Sequence, residues 1–355
     1  MLVPTTVLLL LDPMPASKRG TVKIGEKTRV HYKPNKSLKT ITDFAVRKIK
    51  EEKISMPSAF AWQGKGSSIQ KALFEHMNQS GYFHEYWFVT DIKNAFQGVD
   101  LWKMADIVES YFPQIKYVPV EGFYKDLPDP LKSYLTYEPL LIKTYLQKFF
   151  FTPDKKDGTG LAEGYSSSPI LFNLYAEFMI DRQLRKYCEG YGIAYGRFGD
   201  NLTFTSDQPI GKKKRRKILS IVRKAGFTIN EKKTMHFNLN ALNEGKHISG
   251  VGLRNRGGQA DIFMTGKQRK RLQALLHRAI VGREVDYDEI EGFMGLFKVN
   301  TKNSRGLPDW TKAELKIFRM YKQFKRQKKK LRRIVPKEWQ TEAEKWVKRK
   351  KRNMA

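Results

Sequence analysis

The chain has 355 residues, 67 of them Lys or Arg and 36 Asp or Glu, for a formal net charge of +31. That length suffices for a buried core and about two domains of roughly 150 residues each, and 40% hydrophobic with 12% aromatic content marks a globular chain, not a basic disordered tail. A single cysteine, Cys188, excludes a disulfide framework and a Cys-rich zinc site and suits a reducing cytoplasm. No run of about 20 apolar residues offers a membrane span. So large a positive surplus calls for a polyanionic partner, nucleic acid first.

Near the start, the apolar residues 7–11 lack a basic flank and are short for a secretory leader, so they read as a segment packed on the body. Residues 86–90 (YWFVT) predict a buried strand ending at Asp91. DLWKMADIVESYF then reads as a helix with Asp100 as N-cap and Leu101, Met104, Val108 and Tyr111 on one apolar face. GYSSSPILFNLYAEFMIDRQL opens a second helix, with Ser168 as N-cap, Pro169 as first helical residue, and Ile170, Leu174 and Phe178 on the buried side. IAYGRFGDNLTFTSD reads as a hairpin, with strands over 194–198 and 202–206 joined by Gly199-Asp200-Asn201. The densest basic runs are 211–217 (GKKKRRK) and the tail from Lys322. Both periodicities alternate along the chain, which predicts an α+β fold.

A carboxylate at the end of a buried strand, or at a hairpin tip against an apolar sheet, is poorly hydrated unless a cation compensates it. If the sheet brings Asp91 and Asp200 together, they supply oxygen ligands for two Mg²⁺ ions, with the Ile92 carbonyl as a further ligand. Mg²⁺ takes one or two carboxylates plus substrate phosphates, so this sparse set is enough. Two metals would stabilise the attacking and leaving oxygens of an in-line phosphoryl displacement. Taken singly, each acid has an ordinary alternative: Asp91 capping the turn after its strand, Asp200 as a plain turn residue.

Order and spacing decide between these readings. FVTDIKNAF, GLAEGYSSSPILFNLY, YGRFGDNLTFTS, GFTINEKKT and HISGVGL follow one another, and this succession resembles the palm of reverse transcriptases, most closely the bacterial retron and group II intron type. Upstream, KTRVHYKPNKSLKTITDF and FAWQGKGSSI are similar to the fingers of these enzymes; downstream, TGKQRKRLQALLHRAI is similar to the thumb. The resemblance spans about residues 20–330. It implies a right-hand polymerase with an N-terminal segment and fingers over 1–85, a palm over 86–252, and a thumb with basic tail over 253–355. The implied activity is RNA-directed DNA synthesis from a primer 3′-hydroxyl, with a structured noncoding RNA as partner, in a retron-like or antiviral-defence setting.

The resemblance also distributes roles. Asp91 and Asp200 hold the metals, with Asn201 beside them. Phe96 falls at the aromatic gate, where a ring under the sugar collides with a 2′-hydroxyl. Lys27 and Arg29 grip the triphosphate, and Glu163 and Gly164 lie in the stretch that positions template and nucleotide. Lys233, with Lys232 as the competing choice, meets the pyrophosphate leaving group. Ser249 and Gly250 fall in the primer grip. On the thumb helix Leu272, Leu275, Leu276 and Ile280 face inward, while Lys267, Lys270, Arg271 and Arg278 track a phosphate backbone.

Two departures touch the centre. Gly199-Asp200-Asn201 stands where the family carries two consecutive aspartates; Asn201 keeps a carbonyl but loses a charge, which lowers expected metal affinity and admits Mn²⁺. Glu163 places an acid where an amide is usual. These departures keep two alternatives open: an untemplated or RNA-polymerising nucleotidyltransferase, and an RNA-binding pseudo-polymerase.

Overall fold

The computed structural model describes residues 17–24, 27–62, 69–111, 142–152, 160–241, 245–248, 251–256, 259–299 and 312–334. The chain divides into two compact units, Met1–Ala241 and Leu242–Ala355. The apolar residues 7–11 and most of the basic tail lie outside the described residues.

The first unit is organised on β3 (Tyr86–Lys93), whose inner six residues are all buried. Both of its edges are paired, and successive residues Trp87, Phe88 and Val89, which point to opposite faces, are all buried, so both faces are covered and the apolar run is continuous instead of alternating. On one edge it pairs antiparallel with β5 (Asn201–Ser206), which pairs in turn with β4 (Ala194–Phe198). The other edge is shared by two short strands. β6 (Thr228–Ile229) covers Ile92 and Lys93, and β7 (Met235–Asn238) covers Tyr86 to Val89. Between them a 3₁₀ turn, Glu231–Lys233, stands opposite Thr90 and Asp91. Because β6 extends the pairing, β3 does not end at Asp91 as the sequence suggests but runs two residues further.

The remaining N-terminal elements are a hairpin of β1 (Ser17–Ile24) and β2 (Lys27–Pro34), then α1 (Lys36–Glu51) and the short α2 (Ile69–Phe74). α1 contributes Leu38, Ile41, Ala45 and Ile49 to a single core cluster shared with the sheet. α3 (Leu101–Tyr111) starts as expected, Asp100 Oδ1 accepting from the Lys103 amide at 2.9 Å, and it buries Leu101, Met104 and Val108. α4 (Ile142–Phe149) precedes α5 (Ser168–Ala176). The N-cap of α5 is Ser167, one residue before the expected Ser168, whose hydroxyl instead donates to the Ala162 carbonyl at 2.6 Å. Nor is the helix uniform. A π-helical turn, Glu177–Asp181, separates α5 from α6 (Arg182–Glu189) and directs both acids inward. α7 (Lys212–Lys224) follows the hairpin and packs Ile218, Ile221 and Val222 into the same core.

The second unit holds a three-stranded antiparallel sheet, in the order β10 (Gln259–Phe263), β9 (Val251–Arg256), β8 (Lys246–Ile248). Among the described residues three helices follow: α8 (Gly266–Ile280), α9 (Tyr287–Val299) and α10 (Lys312–Ile334). Thr265 and Gln268 form a capping box at the start of α8. Leu272 and Leu276 are buried with Ile290, Met294, Phe297 and Ile317, and Leu275 and Ile280 pack against this cluster as the amphipathic pattern requires.

His76 lies buried behind the hairpin, its Nδ1 2.9 Å from Thr205 Oγ1 and its ring 5.5 Å from Trp87. Burial pushes its pKa down to about 3, whereas an unfolded histidine titrates near 6.5. Between these values the unfolded state binds the extra proton, so stability from this site is complete above about 6.5 and is lost as pH falls toward 3. In denaturant unfolding, His76→Gln is expected to flatten the pH dependence below about 6 by up to 1.4 kcal/mol per pH unit; an unchanged slope would contradict the assignment.

Candidate active site

The register of the sheet brings the two predicted acids together. Asp91 pairs with Asn201 across β3 and β5, and the Ile92 amide donates to the Asp200 carbonyl at 2.9 Å. The connecting turn is tighter than the sequence suggests. Gly199 and Asp200 form it alone, and Asn201 already opens β5, paired with Phe198. Gly199 has φ 65°, and a Cβ there would come within 2.9 Å of the Trp62 ring, so both backbone and neighbour demand glycine.

Asp91 is 3% exposed. One carboxylate oxygen accepts from Lys233 Nζ at 2.8 Å and the other from Asn230 Nδ2 at 2.9 Å. The Asn230 amide also donates to the Asp91 carbonyl at 2.8 Å. All of these donors come from the segment that separates β6 from β7. Lys233 therefore reaches Asp91, and it keeps 53% of its side chain exposed. Asp200 is half-buried, and Asn201 Nδ2 donates to its Oδ1 at 3.0 Å. Among the described residues no group of three His, Cys, Asp or Glu side chains converges as a metal site. The donors present are two carboxylates flanked by backbone carbonyls, hard oxygen ligands that fit Mg²⁺ when water and phosphate complete its shell.

Asp200 also borders a cleft of about 450 Å³ lined by Tyr32, Trp62, Phe96, Gln97, Glu163 and Phe172 among others. The turn after β3 passes through Asn94 at φ 51° and delivers Phe96 into this cleft. There the ring sits 6.0 Å from Trp62 and edge-on to Phe172 at 5.7 Å. The stretch Leu161-Ala162-Glu163-Gly164 docks on β2, with the Tyr32 amide donating to the Glu163 carbonyl at 2.7 Å. Gly164, at φ 108°, approaches so closely that a Cβ would lie 2.5 Å from the Tyr32 carbonyl. The Glu163 carboxylate accepts from Gln97 Nε2.

The other predicted residues fall outside the described side chains or in the second unit. Lys27 and Arg29 are on β2, but their side chains lie outside the described residues, as do Ser249 and Gly250 altogether. Lys267, Lys270, Arg271 and Arg278 are exposed on α8 of the second unit, where Arg271 pairs with Glu289 at 2.5 Å and Arg278 reaches the Glu284 carbonyl at 3.4 Å.

Sequence reading passed over the support of the hairpin. Arg197 on β4 is fully buried. Its guanidinium donates to both Asp181 oxygens at 2.8–3.1 Å, to Asn173 Oδ1 at 2.9 Å and to the Gly199 carbonyl at 3.0 Å. Tyr195 donates to Asp181 at 2.6 Å, and burial drives its phenol pKa well up. Beside them Glu177 accepts from Arg185 at 2.5 and 2.8 Å. The Asp181 carboxylate, largely through its coulombic effect, keeps the Arg197 pKa raised against the opposing cost of burial. The available signals were charged residues inside an apolar strand and an apolar helix, at Arg197 and Asp181. Arg197→Met is expected to lower unfolding free energy by about 3–5 kcal/mol, because it leaves Asp181 charged and buried. Removing both charges, Arg197→Met with Asp181→Leu, should recover most of that loss in urea melts; equal losses would contradict the pairing.

A buried acid on the central strand, Asp91, beside a hairpin-turn acid, Asp200, that borders an aromatic cleft fits the class of nucleotidyl-transferring polymerases, and the relatives of the chain agree. It is 23% identical over 292 residues to the retron Ec86 reverse transcriptase of Escherichia coli, covering 82% of this chain and 77% of that one. The retron Ec83 reverse transcriptase of the same organism is 25% identical over 243 residues, covering 64% and 73%. The chain is thus a homologue of retron reverse transcriptases, RNA-directed DNA polymerases and hence nucleotidyltransferases. No family model matches it. Among solved structures, apo telomerase from Candida tropicalis superposes with a TM-score of 0.50 at 12% identity, covering 80% of this chain. The chain spans little more than half, 57%, of that telomerase. That likeness concerns the fold, a mixed helix and sheet architecture of the polymerase kind.

Proposed function

We propose that the protein is an RNA-directed DNA polymerase that extends a primer 3′-hydroxyl with deoxynucleoside triphosphates on an RNA template, within a fingers, palm and thumb architecture. The observation that carries this reading is the meeting of Asp91 on β3 with Asp200 in the turn before β5, with Asp200 bordering the cleft that holds Phe96. Asp91, Asp200 and the Ile92 carbonyl would hold two Mg²⁺ ions, which when bound activate the primer hydroxyl and neutralise the leaving pyrophosphate. Mn²⁺ is the substitute to test, because Asn201 brings no second negative charge.

Each remaining role rests on the chain's own groups. Lys233 balances Asp91 in the protein alone. Its half-exposed ammonium would give a proton from Nζ to the leaving pyrophosphate. Phe96, braced by Phe172 and Trp62, sets a wall beneath the sugar that a 2′-hydroxyl strikes. Glu163, held by Gln97, and Gly164, fixed on β2, shape the floor for template and nucleotide. Lys27 and Arg29 grip the triphosphate; Ser249, Gly250, Lys267, Lys270, Arg271 and Arg278 hold primer and template. The RNA partner is a structured noncoding RNA of a retron-like or defence element. A second reading, a catalytically weak RNA-binding protein, draws on the Asn201 amide donating to Asp200.

The test supplies an annealed RNA template and DNA primer, each nucleotide set, and Mg²⁺ or Mn²⁺. Deoxynucleotides are expected to be incorporated by the wild type and not by Asp200→Ala, and Phe96→Val is expected to admit ribonucleotides. No incorporation under either metal, with RNA binding intact, would favour the second reading.

A further inference from the structure

The basic run that the active site leaves unused forms one face of α7. Eight of its thirteen residues are Lys or Arg and none is acidic. Ile218, Ile221 and Val222 fix its apolar side in the core, so the charges face water. Lys213, Arg216, Lys217 and Lys224 are all exposed, and their spacing of three, one and seven residues places them in one stripe, roughly 16 Å long at the helical rise. Arg223, which lies on the same helix but is not one of these four, pairs with Glu231 at 2.7 Å, and Asp207 lies 3.1 Å from His84 Nδ1. The first turn crowds three lysines, Lys212 to Lys214, where the helix dipole disfavours cations. At the edge of the stripe Tyr191 is 50% exposed, with Lys214 Nζ 5.0 Å above its ring and Tyr187 4.9 Å away. None of the residues lining the cleft comes from α7.

We propose that this face of α7 is a second nucleic-acid surface, outside the cleft, that binds the phosphate backbone of a folded RNA stem. The chemistry separates this occupant from its rivals. A helix that lies in a membrane surface needs an apolar face to insert, and the apolar face of α7 is consumed by the core. A protein interface is depleted in lysine at its centre, whereas phosphate contacts are made by Lys and Arg, with an exposed aromatic available for an unstacked base.

The probe is an RNA hairpin of about 20 base pairs, its affinity for the full chain measured across a potassium chloride series. The variant Lys213→Gln/Arg216→Gln/Lys217→Gln/Lys224→Gln is expected to bind at least tenfold more weakly at physiological salt. Its log–log salt slope should fall by about 3, since each of four lost contacts counts about 0.7–0.9. Extension of a short template–primer and the melting temperature should stay within error of wild type, and replacing the three lysines by arginine should preserve binding. An unchanged slope overturns the proposal. So does an equal loss in a control neutralising Lys36, Lys50, Lys53 and Lys71, which would mean diffuse charge, or a loss confined to phosphatidylserine vesicles. Hairpin binding is read without catalysis, so failure of wild-type extension would strike the polymerase reading alone.

Discussion

A carboxylate buried on the central strand of a sheet constrains everything around it. Asp91 is nearly inaccessible, and an ion of that kind costs several kcal/mol to bury unless cations and hydrogen bonds compensate it. The fold meets that demand by splitting the second edge of β3 between β6 and β7. A continuous strand there would pair with Thr90 and Asp91 and leave the carboxylate facing apolar neighbours. The break instead places Asn230 and Lys233 against the two oxygens and Thr234 against Thr90 at 2.7 Å. Sheet topology and site chemistry are thus one feature.

The second acid is held by a different device. Asp200 rides on a two-residue turn whose Gly199 carbonyl is gripped by Arg197, and Arg197 is fixed by Asp181 and Asn173 from the helix behind. The π-helical turn makes this possible, because its extra residue turns Glu177 and Asp181 to the buried side. One acid is compensated for its own sake; the other is exposed to the cleft on a scaffold with its own buried ion pair. Precise placement of reacting groups needs such a rigid supporting layer.

How much of this could be read in the sequence depends on the range of the interaction. Hydrophobic period and capping are local, so β3, α3, the hairpin and α8 were legible, with Asp100 capping α3. The errors were one- or two-residue shifts with tertiary causes. Ser168 turns its hydroxyl back to Ala162, and β6 carries β3 past Asp91. Asp91, Asp200 and Phe96 were identified from motif order. Trp62 over Gly199, Gln97 on Glu163 and Asn230 on Asp91 were not, because they join segments 66 to 139 residues apart. The π turn leaves no signature in the spacing of apolar residues.

The excess of +31 and the acid pair belong together in the proposed function, in which Asp91 and Asp200 would bind divalent metal and the basic residues a nucleic acid. Thermal melting with and without Mg²⁺ and a deoxynucleoside triphosphate tests this most directly, since a ligand that binds the native state raises its stability by mass action. The account predicts that Mg²⁺ with nucleotide raises the melting temperature of the wild type and of Phe96→Val, and that Asp91→Asn and Asp200→Asn show no such rise. An equal rise in the two asparagine variants would contradict it.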